Sequence, residues 1–253
     1  MINQTFNRIE KKFLVTLEQF EIIQLILNER LVHQEGIDSH EQYHVSNIYY
    51  DTSDHLIIKK SVSKPVFKQK LRLRAYGNIT DDSLVFLELK RKINGFVNKR
   101  RSLVSVDEAE GIVSHHNLPE TQTYHQTQIL KEILFFAKQY HLTPQVYLYY
   151  ERETYGSSDK NQLRITFDHN IITRRYDLDI KKHYGTHLLD EDIYVMEIKT
   201  NHNYPMWLTE VLTQNNVFAT SFSKYGTEFY QYLNQSKETR DESCINPYLQ
   251  VLR

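Results

Sequence analysis

The sequence predicts an α+β protein: strands closing into a β-barrel with a cationic lumen, and helices packed on its outside. Three observations lead there. Charged residues recur at every second position in strand-like segments, as in Arg8, Glu10 and Lys12, in Lys68, Lys70, Arg72 and Arg74, and in Glu88 and Lys90. Successive side chains of a strand point to opposite sides, so these four cations share one face while Leu71 and Leu73 line the other. The pattern also repeats, since Leu87-Glu88-Leu89-Lys90 and Met196-Glu197-Ile198-Lys199 both set Glu and Lys against apolar neighbours. One amphipathic strand can show its polar face to water, but a polar face repeated in strand after strand reads as the lining of a barrel. About eight strands leave room inside for side chains or one small ligand, and an apolar exterior then requires helices. Finally, 18 Tyr against 7 Gly in 253 residues favours strands and disfavours long linkers.

The elements follow in order. Phe6 to Val15 reads as a strand, and Thr16 with Gln19 forms a capping box for a helix reaching about Val32. Tyr43 to Asp51 is a second strand, followed by a short helix over Ser53 to Lys60 and the cationic strand from Lys68 to Tyr76. Leu84 to Lys92 and Phe96 to Val106 flank Asn94-Gly95, a strong hairpin signal, and pair antiparallel. Helical spacing resumes at Asp107 and again over Thr123 to Tyr140, where Ile129, Ile133, Phe136 and Ala137 share a face ahead of Pro144. Strands are expected over Gln145 to Tyr155, Gln162 to Asp168 and Asp192 to Thr200, and helices over Tyr204 to Leu212 and Ser223 to Leu233. The domain thus spans 1–233. Residues 234–253 form a polar tail whose apolar end, Ile245 to Leu252, is a candidate surface for a protein partner.

Composition narrows the function. The single Cys244 excludes an intramolecular disulfide, no apolar stretch approaches the roughly 20 residues that span a bilayer, and the N-terminus lacks a signal-peptide core. A cytoplasmic protein with no direct membrane insertion is expected. Net charge is −1, yet between Lys64 and Arg101 eleven cations face three carboxylates, a local charge of +8. A concentrated positive field in a neutral shell suits a small polyanion better than a long duplex. Basic strands with aromatics also describe single-strand grooves, but glutamates on the same face would repel a nucleic-acid backbone, so no nucleic-acid partner is expected.

The motifs, in order, are Arg8-Ile9-Glu10-Lys11-Lys12, Asn47-Ile48-Tyr49-Tyr50-Asp51-Thr52, Lys70-Leu71-Arg72-Leu73-Arg74, Glu88-Leu89-Lys90, Lys99-Arg100-Arg101, Tyr150-Glu151-Arg152, Leu163-Arg164-Ile165, Glu197-Ile198-Lys199 and Phe222-Ser223-Lys224-Tyr225. On these the chain resembles the VTC domain, the polyphosphate polymerase domain of the triphosphate tunnel metalloenzyme, or CYTH-like, superfamily. The resemblance implies an eight-stranded antiparallel barrel whose tunnel holds ATP, triphosphate or polyphosphate, together with Mn²⁺ or Mg²⁺. Lys12, Arg72, Arg74, Lys90, Arg152 and Arg164 would then be catalytic phosphate ligands, joined by Lys70, Lys99, Arg101, Lys199 and Lys224. Glu197 would be the principal metal ligand, with Glu10 and Glu88 as lesser candidates. Arg offers phosphate a bidentate fork and Lys a mobile point charge, while either metal commonly binds one or two carboxylates plus substrate phosphates. Two positions depart from the family pattern. Arg8 stands where hydrolytic members carry a first glutamate, which disfavours a second metal and plain hydrolysis. Ser221 stands where the eukaryotic polymerase domains carry a further lysine.

Other residues have plainer readings. The histidines, among them His115, His116, His141, His169 and His202, lack zinc-ligand spacing, and Cys244 lies away from any His or Lys cluster. Lys11, Arg91 and Arg100 fall on the opposite parity and read as solvated exterior. Tyr49, Tyr50, Tyr147 and Tyr149 are core or rim aromatics, and the two pairs cannot all face a lumen. Glu10 and Glu88 either bind metal or offset cation repulsion. Three functions remain open: transfer of a γ-phosphoryl group to polyphosphate, hydrolysis of tri- or polyphosphate, and non-catalytic sensing of polyphosphate or nucleotide.

Overall fold

The computed structural model describes residues 9–33, 43–94, 96–120, 123–157 and 163–238. Its strands are β1 (Ile9–Thr16), β2 (Val32–His33), β3 (Tyr43–Asp51), β4 (Phe67–Tyr76), β5 (Val85–Ile93), β6 (Phe96–Val104), β7 (Thr143–Gly156), β8 (Arg164–Arg174), β9 (Thr186–His187), β10 (Ile193–Thr200) and β11 (Ala219–Thr220). The helices are α1 (Leu17–Arg30), α2 (Leu56–Val62), α3 (Val106–Val113), α4 (Tyr124–Tyr140), α5 (Met206–Gln214) and α6 (Lys224–Glu238). The α+β class is as expected, and β1–β10, β10–β8, β3–β4, β4–β5 and β5–β6 pair antiparallel.

The closed eight-stranded barrel is corrected. The strands hydrogen-bond in the open order β11-β1-β10-β8-β7-β3-β4-β5-β6, with β2 and β9 attached to β7 and β8, giving eleven strands. Three of the eleven, β2, β9 and β11, are two residues long, and the eight longer ones match the strands read from the sequence. The ladder ends on β6, where Lys99, Arg100 and Arg101 stand consecutively. Charge of one sign along an edge opposes the approach of a further strand.

Local chemistry sets the element boundaries. The Thr16–Gln19 capping box opens α1, and equivalent boxes, Ser105 with Glu108 and Thr123 with Gln126, open α3 and α4. Helix α4 stops where His141 takes a left-handed conformation (φ +50°), and Pro144 is the second residue of β7. Asn94 takes a left-handed conformation (φ +46°) directly after Ile93, which pairs with Phe96. Strand β8 runs to Arg174, beyond its expected end at Asp168. Helix α6 runs to Glu238, so the first residues of the expected tail are helical. Arg8, Cys244 and the segment Ile245 to Leu252 lie outside the described residues.

Among the described residues two compact units form, from Met1–His44, Tyr150–Ile171 and His187–Ser223, and from Val45–Tyr149, Ile172–Thr186 and Lys224–Arg253. The first has its own core, in which Phe13, Val15, Phe20, Ile23, Ile165, Phe167, Met196 and Ile198 meet. Phe20 stacks on Tyr194 at 4.3 Å. In the second, Leu71, Leu73, Leu87 and Leu89 bury the apolar sheet face against Ile112, Ile129, Ile133 and Phe136 of α3 and α4. Arg91 and Arg100 are not simply solvated: their side chains reach Glu132 of α4 at 2.7 and 3.6 Å, across the face that this helix covers. No helix among the described residues is long and apolar enough to cross a membrane.

Candidate functional site

In the second unit the strand alternation places Lys68, Lys70, Arg72 and Arg74 of β4 opposite the leucine core. The register then sets cross-strand neighbours on that same face. Arg72 lies opposite Tyr49 of β3 and Glu88 of β5, and Glu88 opposite Arg101 of β6. Lys70 lies opposite Lys90, itself opposite Lys99, while Lys68 faces Lys92. On β4, β5 and β6 eight cations therefore share a face with Glu88, and Asp51 of β3 has the same parity as Tyr49.

Glu88 is 1% exposed. Arg72 Nε donates to its Oε2 at 2.6 Å, and Lys99 Nζ lies 2.7 Å from its Oε1. Burial alone would raise the pKa of this carboxyl, but Arg72, Arg74 and Lys99 together hold it at about 2. Each oxygen of Glu88 thus has a cation beside it, Arg72 at Oε2 and Lys99 at Oε1. Arg74 is also buried, its Nε donating to Asn47 Oδ1 at 2.9 Å, while Asn47 Nδ2 donates to the Leu148 carbonyl at 3.0 Å. The guanidinium of Arg74 is thus aimed by an amide whose other end is tied to β7. Arg101 lies over the Phe86 ring at 4.6 Å.

Tyr49 and Tyr50 divide between the two faces, Tyr50 in the core and Tyr49 among the cations. Arg72 Nη1 donates to the Tyr49 hydroxyl at 3.4 Å. Burial raises the pKa of Tyr49, but Arg72, Arg74 and Lys70 outweigh it and leave the phenol at about 8. The ring stacks on Tyr225 at 4.5 Å, and Lys70 Nζ lies 5.6 Å above Tyr225. Tyr225 in turn donates to Asp51 Oδ2 at 2.9 Å. Asp51 also accepts the backbone N–H groups of Ile57 and Ile58 at the start of α2. Lys224 is the first residue of α6, next to Tyr225.

The first unit carries a shorter polar face of the same design. Glu10 lies opposite Lys199, Lys12 opposite Glu197, Glu197 opposite Thr166, and Lys199 opposite Arg164. Glu197 pairs with Lys199 and lies 3.8 Å from Lys12, whose Nζ donates to the Phe222 carbonyl at 3.2 Å. Arg152 makes a two-pronged bond to Asp168, at 2.5 and 2.8 Å, with side-chain exposures of 12% and 2%. Burial opposes the charge of Arg152, yet Asp168 and the Tyr150 ring 5.0 Å away raise its pKa well above the ordinary value.

The structure therefore gathers Lys70, Arg72, Arg74, Glu88, Lys90, Lys99 and Arg101 on one face of the second unit, with Lys224 on α6 of that unit. It gathers Glu10, Lys12, Arg164, Glu197 and Lys199 on one face of the first, where Arg152 is bound to Asp168. Asp168, Thr166 and Asn47 were missed from the sequence. Alternation signals Thr166 and Asp168, since both have the parity of Arg164, but their partners depend on register.

For a divalent metal the donors are hard oxygens. Among the described residues no group of three or more His, Cys, Asp or Glu side chains is arranged to hold a metal ion. Thr166 Oγ1 is buried without a hydrogen-bond partner, at the register position facing Glu197. A carboxylate with a neighbouring hydroxyl fits Mg²⁺ or Mn²⁺ when substrate phosphates complete the shell.

The fold is an α+β antiparallel sheet protein with two cation-lined faces. The VTC domain family matches residues 7–232, and the chain belongs to that family. Among solved structures, HpAC1 from Hippeastrum, an adenylyl cyclase candidate with a dominant triphosphatase activity, aligns at 14% identity and TM-score 0.51, covering 88% of this chain and 96% of its own. An adenylate cyclase candidate from Bacillus halodurans aligns at 16% identity and TM-score 0.43, covering 96% of each chain. No curated protein matches this chain.

Proposed function

We propose that this protein is a metal-dependent, polyphosphate polymerase-like enzyme that transfers the γ-phosphoryl group of ATP to the end of a polyphosphate chain. Membership of the VTC family supports this reading, and so does the eight-cation face, on which Glu88 is already paired with Arg72 and Lys99. A face on which cations so outnumber carboxylates suits a polyanion. In the transfer the bond between the γ-phosphorus and the bridging oxygen breaks, ADP leaves with that electron pair, and a terminal oxygen of the chain forms the new bond. Positioning and charge stabilisation supply most of the catalysis in such a step. Arg72 and Arg74, held by Glu88 and Asn47, present pre-aimed guanidinium groups to phosphate oxygens, and Lys70, Lys90 and Lys99 add mobile charge. Lys12, Arg152, Arg164, Lys199 and Lys224 complete the proposed phosphate-binding set. Glu197, with the Thr166 hydroxyl, would hold the metal, which when bound neutralises phosphate charge.

A triphosphatase using the same residues is the second reading, favoured by the dominant triphosphatase activity of the Hippeastrum neighbour. Purified protein incubated with ATP and Mn²⁺, with free phosphate and long-chain polyphosphate followed together, separates the two. Polyphosphate accumulating with ADP supports transfer. Stoichiometric free phosphate without polymer makes the protein a hydrolase, and metal-independent binding without turnover makes it a sensor.

A further inference from the structure

One end of the sheet in the second unit is built differently from the rest. Phe67, Ile93 and Phe96 are successive register partners on β4, β5 and β6, so their side chains share one face beyond the end of the leucine core. The next row on the opposite face is Lys68, Lys92 and Val97. Val66 joins the cluster, its carbonyl accepting from the Asn94 backbone N–H at 2.8 Å. Val66, Phe67, Ile93, Phe96 and Val97, all large and apolar, are 48–70% exposed around this end of the sheet, with Phe67, Ile93 and Phe96 side by side on one face. Folding leaves a cluster of this kind in water only at a cost, and contiguous apolar surface of this sort marks an interaction site.

The charge beside it selects the occupant. Lys68 has its pKa lowered by partial burial and by the like charges of Lys92 and Lys64, both of which act on it. Three crowded lysines next to an exposed aromatic tip call for a partner that is apolar within and anionic at its surface. Inorganic polyphosphate meets the second requirement but offers nothing to Phe67 and Phe96. An anionic bilayer meets both, with acyl chains for the tip and headgroups for the lysines.

We infer that the β5–β6 tip, with Val66 and Phe67, is a peripheral docking surface for anionic membranes, seated by Phe67, Ile93, Phe96 and Val97 and held by Lys64, Lys68 and Lys92. This inference does not rest on the catalytic reading. The test is co-sedimentation of the full chain with vesicles of phosphatidylcholine alone or containing phosphatidylserine, at physiological and high salt. Binding is expected only with phosphatidylserine and should weaken at high salt. Replacing Lys68 and Lys92 by Ala should weaken it about fivefold for each lysine. Phe67→Ser with Phe96→Ser should weaken it by at least about tenfold with an unchanged melting temperature, since both rings are exposed. Absence of binding to anionic vesicles overturns the inference. So does binding that survives the phenylalanine changes, which would leave a purely electrostatic contact, and so does a dimer in solution that those changes dissociate, which would make the tip an interface between copies.

Discussion

Replacing Glu88 by Gln isolates the charge balance of the cationic face. The side chain keeps its shape and loses one negative charge at a site that is 1% exposed. The ordinary carboxyl value of 4.5 against about 2 in the folded protein, at about 1.4 kcal/mol per pH unit, amounts to about 3 kcal/mol of stability at neutral pH. Because the folded value is the lower one, this contribution is fully present above about pH 4.5 and is lost as pH falls toward about 2. Urea unfolding of both proteins between pH 3 and pH 7 reads it directly. E88Q should be less stable by about 3 kcal/mol at pH 7, and the gap should shrink steadily toward pH 3. Tripolyphosphate, which can replace the lost negative charge, should restore E88Q more than it stabilises the natural protein, and should bind it at least as tightly. A gap that stays constant with pH would refute the ion-pair origin, and loss of tripolyphosphate binding would return Glu88 to the metal or substrate site.

Three further outcomes are expected. Tyr49, at about 8, becomes anionic beside Arg72 as pH rises, so tripolyphosphate binding measured by calorimetry should weaken above about pH 8, and Tyr49→Phe should remove that decline. Asp168→Asn strands the Arg152 charge at 12% exposure and should cost about 3–5 kcal/mol in chemical denaturation. Adding Arg152→Met should recover much of that loss, and no recovery would mean that Asp168 has another role. Glu197→Gln should leave folding intact and raise the Mn²⁺ concentration needed for turnover with ATP, because an amide is a poorer ligand for a hard cation. An unchanged Mn²⁺ dependence would move the metal away from Glu197.

The alternation of Lys70, Leu71, Arg72, Leu73 and Arg74 was enough to assign the polar and apolar faces of β4, because side-chain direction in a strand depends only on sequence parity. The capping boxes at Thr16 and Thr123 and the Asn94 turn were equally legible, being contacts within a few residues. What Arg152 and Glu88 bind was not. Each has the parity of a phosphate ligand or metal ligand, yet one is bound to Asp168 of β8 and the other lies between Arg72 of β4 and Lys99 of β6.

The distinction is one of range. The local pattern determined the eight long strands, the helices that cover the leucine face, and the accumulation of cations opposite it. Tertiary structure decided that the strand ladder is open rather than closed, that Arg91 and Arg100 reach Glu132 of α4 rather than bulk water, and which of the tyrosines stands among the cations. These outcomes depend on strand register and helix docking, where one charged group meets another from a distant part of the chain. The energy of that meeting varies with separation and burial, and neither is written in the spacing of residues along a single strand.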